Sequence, residues 1–244
     1  TTSGSVEAPS SISGGYTECY PKHETDETHS VCSSKPSEAI DRTAALVSFQ
    51  RTKVRYCLPA GHSPAPWALR RRLDSYLIRL PAACLREMTE ASGGFVAFSD
   101  GDTAYHPGPW QSPDCALQGV AVLNASSFLE DPRPGLYALA RLLDHLLGSL
   151  CTLPARFITD GQAHSPHWAD FYRRLVAAHQ LGYADDPAAQ GSLAVYFRWA
   201  FAGYLEDPGA LQSTDPRAHR LLHSTLFSAA FWQGHPLRPR PDGL

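Results

Sequence analysis

Nothing in the sequence approaches the roughly 18 consecutive apolar residues that mark a membrane-spanning helix, so no membrane span is expected. There is no basic excess. The formal net charge is -3 with His neutral, which argues against a nucleic-acid partner, and no acidic block marks a disordered tail. No CxxC pair occurs, so a zinc site built on cysteine is not expected. No internal repeat is visible. The G-x-S-x-G elbow of serine hydrolases and the glycine loop that cradles phosphates are both missing. No signal peptide is read, and the chain begins at Thr1 without Met, the form expected of a processed or trimmed product. Asparagine is nearly absent: Asn124 is the only one, and it opens the glycosylation sequon Asn124-Ala125-Ser126.

What is present is enough for one sizeable core, or one core and a small accessory region, in 244 residues of which 43% are hydrophobic. The six cysteines, Cys19, Cys32, Cys57, Cys84, Cys115 and Cys151, are even in number and scattered. That usage fits disulfides in an oxidising, extracellular compartment, with the connectivity left open. Six buried thiols are the alternative.

Residues 1 to about 37 are rich in Thr, Ser, Gly and Glu, and the stretch from Thr1 to Gly15 is expected to be flexible. Ala44–Phe49 and Val54–Leu58 read as two short strands, a hairpin around Gln50–Lys53. The first division of the chain is therefore 1–62, a cysteine-bearing extension with a hairpin, and 63–244, the main domain. Pro64-Ala65-Pro66 opens a helical stretch in which Trp67, Leu69, Leu73, Tyr76, Leu77 and Leu80 recur at helical spacing, interrupted by Pro81. Ala82–Ala91 forms a second helix closed by Gly93-Gly94. Phe95–Phe98 and Val120–Leu123 are strands, separated by a turn at Asp100-Gly101-Asp102 and a proline-rich loop with His106, Trp110 and Cys115. Helices follow at Pro134–Leu147, closed by Gly148, then at about 166–181, 192–205 and 216–231. Strands first and helices after them predict an α+β fold: a small sheet followed by a mostly helical half.

Leu136-Tyr137-Ala138-Leu139-Ala140-Arg141-Leu142-Leu143-Asp144-His145 carries the chemical interest. A helix of this kind in zincins bears H-E-x-x-H, whose two His point from one face at one metal while the Glu polarises the bound water. Here Arg141 stands at the first His position and Leu142 at the Glu position, and only His145 remains. Further on, Tyr196–Pro208 resembles the F-A-E-A-F-A-x-Y-L-x-D-P helix of zincin (gluzincin) metallopeptidases similar to the anthrax lethal factor catalytic domain. Leu73–Pro81, Ser165-Pro166-His167-Trp168 and Pro216–Leu222 resemble other helices of that family, over roughly residues 64–231. The resemblance implies a zincin-like metallopeptidase fold with the zinc motif degenerate. It also implies a third-ligand Glu at the position of Trp199, an aromatic residue near the position of His219, and a transition-state Tyr for which Tyr183 is the candidate.

The departures fall on the residues that make such an enzyme work. A guanidinium stays protonated and has no free lone pair for zinc, and the Trp199 indole has only a donor N–H. One His is short of the three protein ligands a catalytic zinc needs, so no cofactor is expected. His145 remains open to three readings: a surviving ligand, a general base, or a core histidine satisfied locally. Arg141 either binds an anion in the old cleft or pairs with an acid such as Asp144 or Glu206. Trp199 fills the vacated site or stacks on a ligand. His219 and His223 share a helix face and, with His145, are the candidates for a relocated metal site. The leading expectation is a secreted pseudo-metallopeptidase that binds a protein or small ligand at a cleft of Arg141, His145, Trp199 and His219. The alternatives are a zinc-independent enzyme that reuses the cleft and a metallopeptidase with relocated ligands.

Overall fold

The computed structural model describes residues 36–59, 61, 64–111 and 116–238. In chain order the elements are α1 (Pro36–Lys53), β1 (Val54–Tyr56), α2 (Pro66–Leu77), α3 (Ala82–Glu90), β2 (Phe95–Ser99), β3 (Ala104–Gln111), β4 (Ala116–Asn124), α4 (Ala125–Glu130) and α5 (Arg133–Ser149). A 3-10 turn at Ile158–Asp160 precedes α6 (Pro166–His179), α7 (Pro187–Gly191), α8 (Leu193–Glu206), α9 (Pro208–Thr214), α10 (Pro216–Ser224) and α11 (Ala229–Gly234). The fold is α+β, with a small mixed sheet ahead of a helical half.

The sheet has the order β1-β2-β4-β3. β1, β2 and β4 run parallel, and β3 runs antiparallel to β4 at the edge. Alternation along β2 and β4 sends Val96, Phe98, Ala121 and Leu123 into the main core. Ala97, Val120 and Val122, with Leu117, form a smaller cluster. The segment expected as a proline-rich loop is β3. Pro107 and Pro109 lack the N–H that a central strand needs, but an outer strand tolerates the loss, and the pairing register shifts between His106 and Pro109.

The expected hairpin is not formed. Ala44–Phe49 lies within α1, and only Val54–Tyr56 is a strand, paired in parallel with β2. Ala45, Leu46, Phe49, Gln50 and Lys53 are the buried positions. That is helical spacing, on the face turned to α3, whereas Val47 is exposed. A short apolar run reads equally as strand or helix until its partner is known. The described residues all fall in one compact unit that spans residues 35–244. α1 and β1 thus belong to the same compact unit as the elements that follow them. The stretch Thr1–Gly15, expected to be flexible, and Cys19, Cys32 and Cys115 lie outside the described residues. Among the described residues there is no disulfide, and Cys84 and Cys151 are buried thiols.

α5 packs against β4 and β3 on one side and α8 on the other. It continues past Gly148 to Ser149, and the cap is Leu150 with a left-handed backbone, φ 55°. Gly148 serves a different purpose from the expected stop signal. A Cβ there would meet the Arg156 carbonyl oxygen at 2.3 Å, so only glycine lets the returning chain lie against the helix. The last expected helix is two, α10 and α11, separated at Thr225–Ser228. Asn124 caps α4, accepting the Ser127 N–H at 2.9 Å, and its Nδ2 donates to the carbonyls of Asp100 and Gly101 at 3.1 and 3.0 Å. The sequon nitrogen is thereby committed to holding the Asp100-Gly101 turn.

Candidate functional site

The lower face of α5 carries a satisfied polar cluster. Asp144 is fully buried. One carboxylate oxygen accepts the Thr159 N–H at 3.0 Å. The other accepts the Thr159 hydroxyl at 2.8 Å and Arg141 Nη1 at 2.5 Å. Arg141 and Asp144 lie one helical turn apart, so the pair is local, while Thr159 is brought in by the 3-10 turn. Burial pushes the Asp144 carboxyl up, and Arg141 and the Thr159 donors pull against it. The Arg141 guanidinium also lies 3.8 Å from the centre of the Phe157 ring.

His145 is fully buried. Its Nδ1 is 2.5 Å from the Tyr105 hydroxyl of β3, and its Nε2 is 3.2 Å from the Thr152 carbonyl oxygen. A carbonyl only accepts, so Nε2 carries the proton, Nδ1 keeps the lone pair, and Tyr105 donates to it. This is a neutral imidazole with both nitrogens engaged. Burial first, and the Arg141 charge after it, hold its pKa below the ordinary value, against the Thr152 bond. Burial likewise keeps the Tyr105 phenol protonated. Of the three readings of His145, the geometry is that of the core histidine.

Behind Tyr105 the chain turns sharply. Leu150 and Cys151 have consecutive positive φ values of 55° and 60°. Cys151 is buried, and its thiol is pushed up to about 12 by burial, with Lys53 pulling the other way. A thiol in that range is not a thiolate nucleophile at neutral pH. Lys53, also buried, donates to the carbonyls of Ala91 and Gly93 at 2.5 and 2.8 Å. It joins the end of α1 to the turn before β2.

Above α5, between the helix and β3, is an open cleft of about 440 Å³. Tyr105, Tyr137, Arg141, Phe157 and Arg198 line it, and His145 does not. Arg198 points in from α8. Its Nε donates to the Ala194 carbonyl at 3.2 Å, and its guanidinium stands 5.9 Å from the Tyr137 ring centre. Among the described residues no carboxylate pairs with it. Burial and the neighbouring Arg141 charge hold the Arg198 guanidinium below its ordinary value.

Of the expected cleft residues, only Arg141 lines this space. Trp199 is turned toward α7 and α9. Its indole N–H donates to Asp185 at 3.0 Å, and its ring stacks on Tyr196 at 5.9 Å. Glu206, the other acid considered for Arg141, pairs with Arg133 at 2.6 Å instead. Tyr183 is exposed. His219 and His223 do share one face of α10, stacked at 5.8 Å. The hydroxyl of Tyr204 lies 2.7 Å from His223 Nδ1, and burial followed by the nearby His223 lowers the His219 pKa. Among the described residues no group of three His, Cys, Asp or Glu side chains is placed to share a metal ion. No described helix is long and apolar enough to cross a membrane.

Sequence reasoning missed Tyr105, Tyr137, Thr159 and Arg198. One of these carried a signal: Arg198 is the only charged side chain between Leu193 and Leu205 in an otherwise apolar and aromatic helix. The others depend on which strand and turn reach α5. No family model matches the chain, and no curated protein matches it.

Proposed function

We propose that this chain is a secreted, zincin-like domain that has given up its catalytic zinc and acts by binding a ligand or partner in the cleft between β3 and α5. The order and spacing of the motifs support the zincin-like reading, as does a mixed sheet ahead of a helical half. The observation that carries the functional reading lies on α5. Where the metal motif would stand, Arg141 is ion-paired to Asp144 and His145 has both ring nitrogens engaged, yet the cleft above them is open. A group that ligates zinc must offer a lone pair to it. The His145 lone pair is taken by Tyr105, and Arg141 has none.

The test is metal content of the natively purified protein by mass spectrometry, together with thermal unfolding in chelator and turnover of peptide substrates. The expected result is no stoichiometric metal, an unchanged melting temperature in chelator and no peptidase turnover. Zinc near one per chain, or zinc-dependent turnover, would overturn the reading.

A further inference from the structure

We infer that the cleft is an oxyanion site in which Arg141 and Arg198 together take a carboxylate or phosphate group of a small ligand. This deepens the proposed function and rests on its choice of the cleft as the working surface. The first argument is composition. The lining holds two arginines, two tyrosines and Thr103, and no Asp or Glu. Asp144, buried behind the wall, offsets the Arg141 charge, but Arg198 has no ion-paired carboxylate among the described residues, and a cleft wall with an excess of one sign of charge concentrates ions of the opposite sign.

The second argument is the way each arginine is held. Arg141 spends only Nη1 on Asp144 and Thr159, and Phe157 supports the plane of its guanidinium. No bond to its Nε or Nη2 is formed among the described residues. Its fork is therefore fixed in place with donors to spare, the arrangement that suits a bidentate partner. Arg198 spends only Nε, on Ala194. Its two terminal nitrogens make no hydrogen bond among the described residues and remain open to the cleft. Burial first and the Arg141 charge after it lower the Arg198 pKa, with Tyr137 and Asp144 acting the other way, so the two guanidinium charges oppose each other across the cleft. An anion between them removes that opposition. The pocket, at about 440 Å³, has room for a small organic acid or a phosphorylated metabolite-sized group.

A second arginine-bearing groove provides an internal control. Arg174, Arg217 and Arg220 line a smaller groove of about 200 Å³ between α6 and α10, all of them exposed. Exposed arginines attract anions weakly and lose them to salt.

The experiment is calorimetric titration of the full chain with inorganic phosphate and, separately, with succinate at matched ionic strength. One saturable site is expected. Arg198→Gln should weaken it by about tenfold or more, because a charge-assisted hydrogen-bond pair is lost. Arg198→Lys, which keeps the charge without the fork, should fall between, and Arg174→Gln should leave binding unchanged. Thermal melts of each variant check that it is folded. Tighter phosphate binding assigns the ligand to phosphoryl compounds, and tighter succinate binding assigns it to organic acids; either supports the inference. Absence of saturable binding in the folded wild type overturns it. So does binding that Arg174→Gln abolishes and Arg198→Gln spares. Zinc near one per chain would defeat the zinc-free reading and leave this titration readable, so the two failures are distinct.

Discussion

The two sides of α5 use the same residue types for opposite purposes. Below the helix, buried Asp144 is satisfied by Thr159 and Arg141, and buried His145 by Tyr105 and the Thr152 carbonyl. Above it, Tyr137 and Arg198 stand in an open cleft with donors unspent, and Arg141 and Tyr105 belong to both sides. A polar group sealed in the interior must be satisfied by the protein, whereas one on a cleft wall can wait for a ligand. The difference also sets where mutations act: substitutions below should cost stability, and those above should cost binding.

The sharpest way to break this comparison is Asp144→Ala. It strips a buried carboxylate from Arg141 and two donors of Thr159, so a loss of about 3–5 kcal/mol in urea unfolding is expected. A loss within about 1 kcal/mol would mean the cluster is not the anchor described.

The second effect is on pH. The folded-state pKa of His145 is depressed, so the unfolded chain takes up a proton that the folded chain refuses. Its contribution to stability is complete above the ordinary value of 6.5 and is lost as pH falls below it, until the folded-state value is reached. The slope is up to about 1.4 kcal/mol per pH unit. The cation would also face Arg141, and Tyr105 would have to turn from donor to acceptor at Nδ1. Urea midpoints at about pH 7.5 and about pH 5 should diverge in the wild type and converge in His145→Gln. Equal slopes in the two proteins would remove His145 from the sealed side.

Tyr105→Phe is milder. It leaves the buried Nδ1 without a donor, which costs roughly 1–2 kcal/mol by thermal or urea unfolding. The smallest effect belongs to the upper side. Arg198→Gln should change stability by less than about 1 kcal/mol, because relief of repulsion with Arg141 offsets the packing lost from its stem. A large loss there would show that Arg198 is structural and that the two sides of α5 do not differ.

Much of the helical half was legible in the residues. Of the apolar face read for the helix at about 166–181, Trp168, Phe171 and Leu175 are buried on α6, whereas Val176 is half-buried and Ala178 is the buried position instead. The start expected at Pro216 is that of α10, capped by Asp215, but α9, capped by Asp207, was not foreseen. The α1 segment was misread because Ala44–Phe49 is too short and too uniformly apolar to carry a period, and Glu38 and Arg42 support the helix only through a half-exposed pair. β3 was misread because its prolines argue against a strand, and only its place at the sheet edge makes them tolerable. Arg141 and His145 were recognisable as the site's axis. The Asp144 pairing was foreseen as an option, but the turn of Trp199 toward Asp185 was not, since residues a single position apart on α8 face different neighbours.

By itself the sequence determined that no H-E-x-x-H could form on α5, because Arg141 and Leu142 occupy its positions and no arrangement in space gives a guanidinium or a leucine a lone pair for zinc. It also determined the α+β class, through the helical spacing of the second half of the chain, although α1, α2 and α3 interleave with the strands. Only the tertiary structure decided that His145 is sealed and Arg198 is open. Both facts depend on where Tyr105 arrives from a distant strand and on how the chain after α5 folds Thr152 and Phe157 back against the helix, and burial is a property of neighbours that no local pattern encodes.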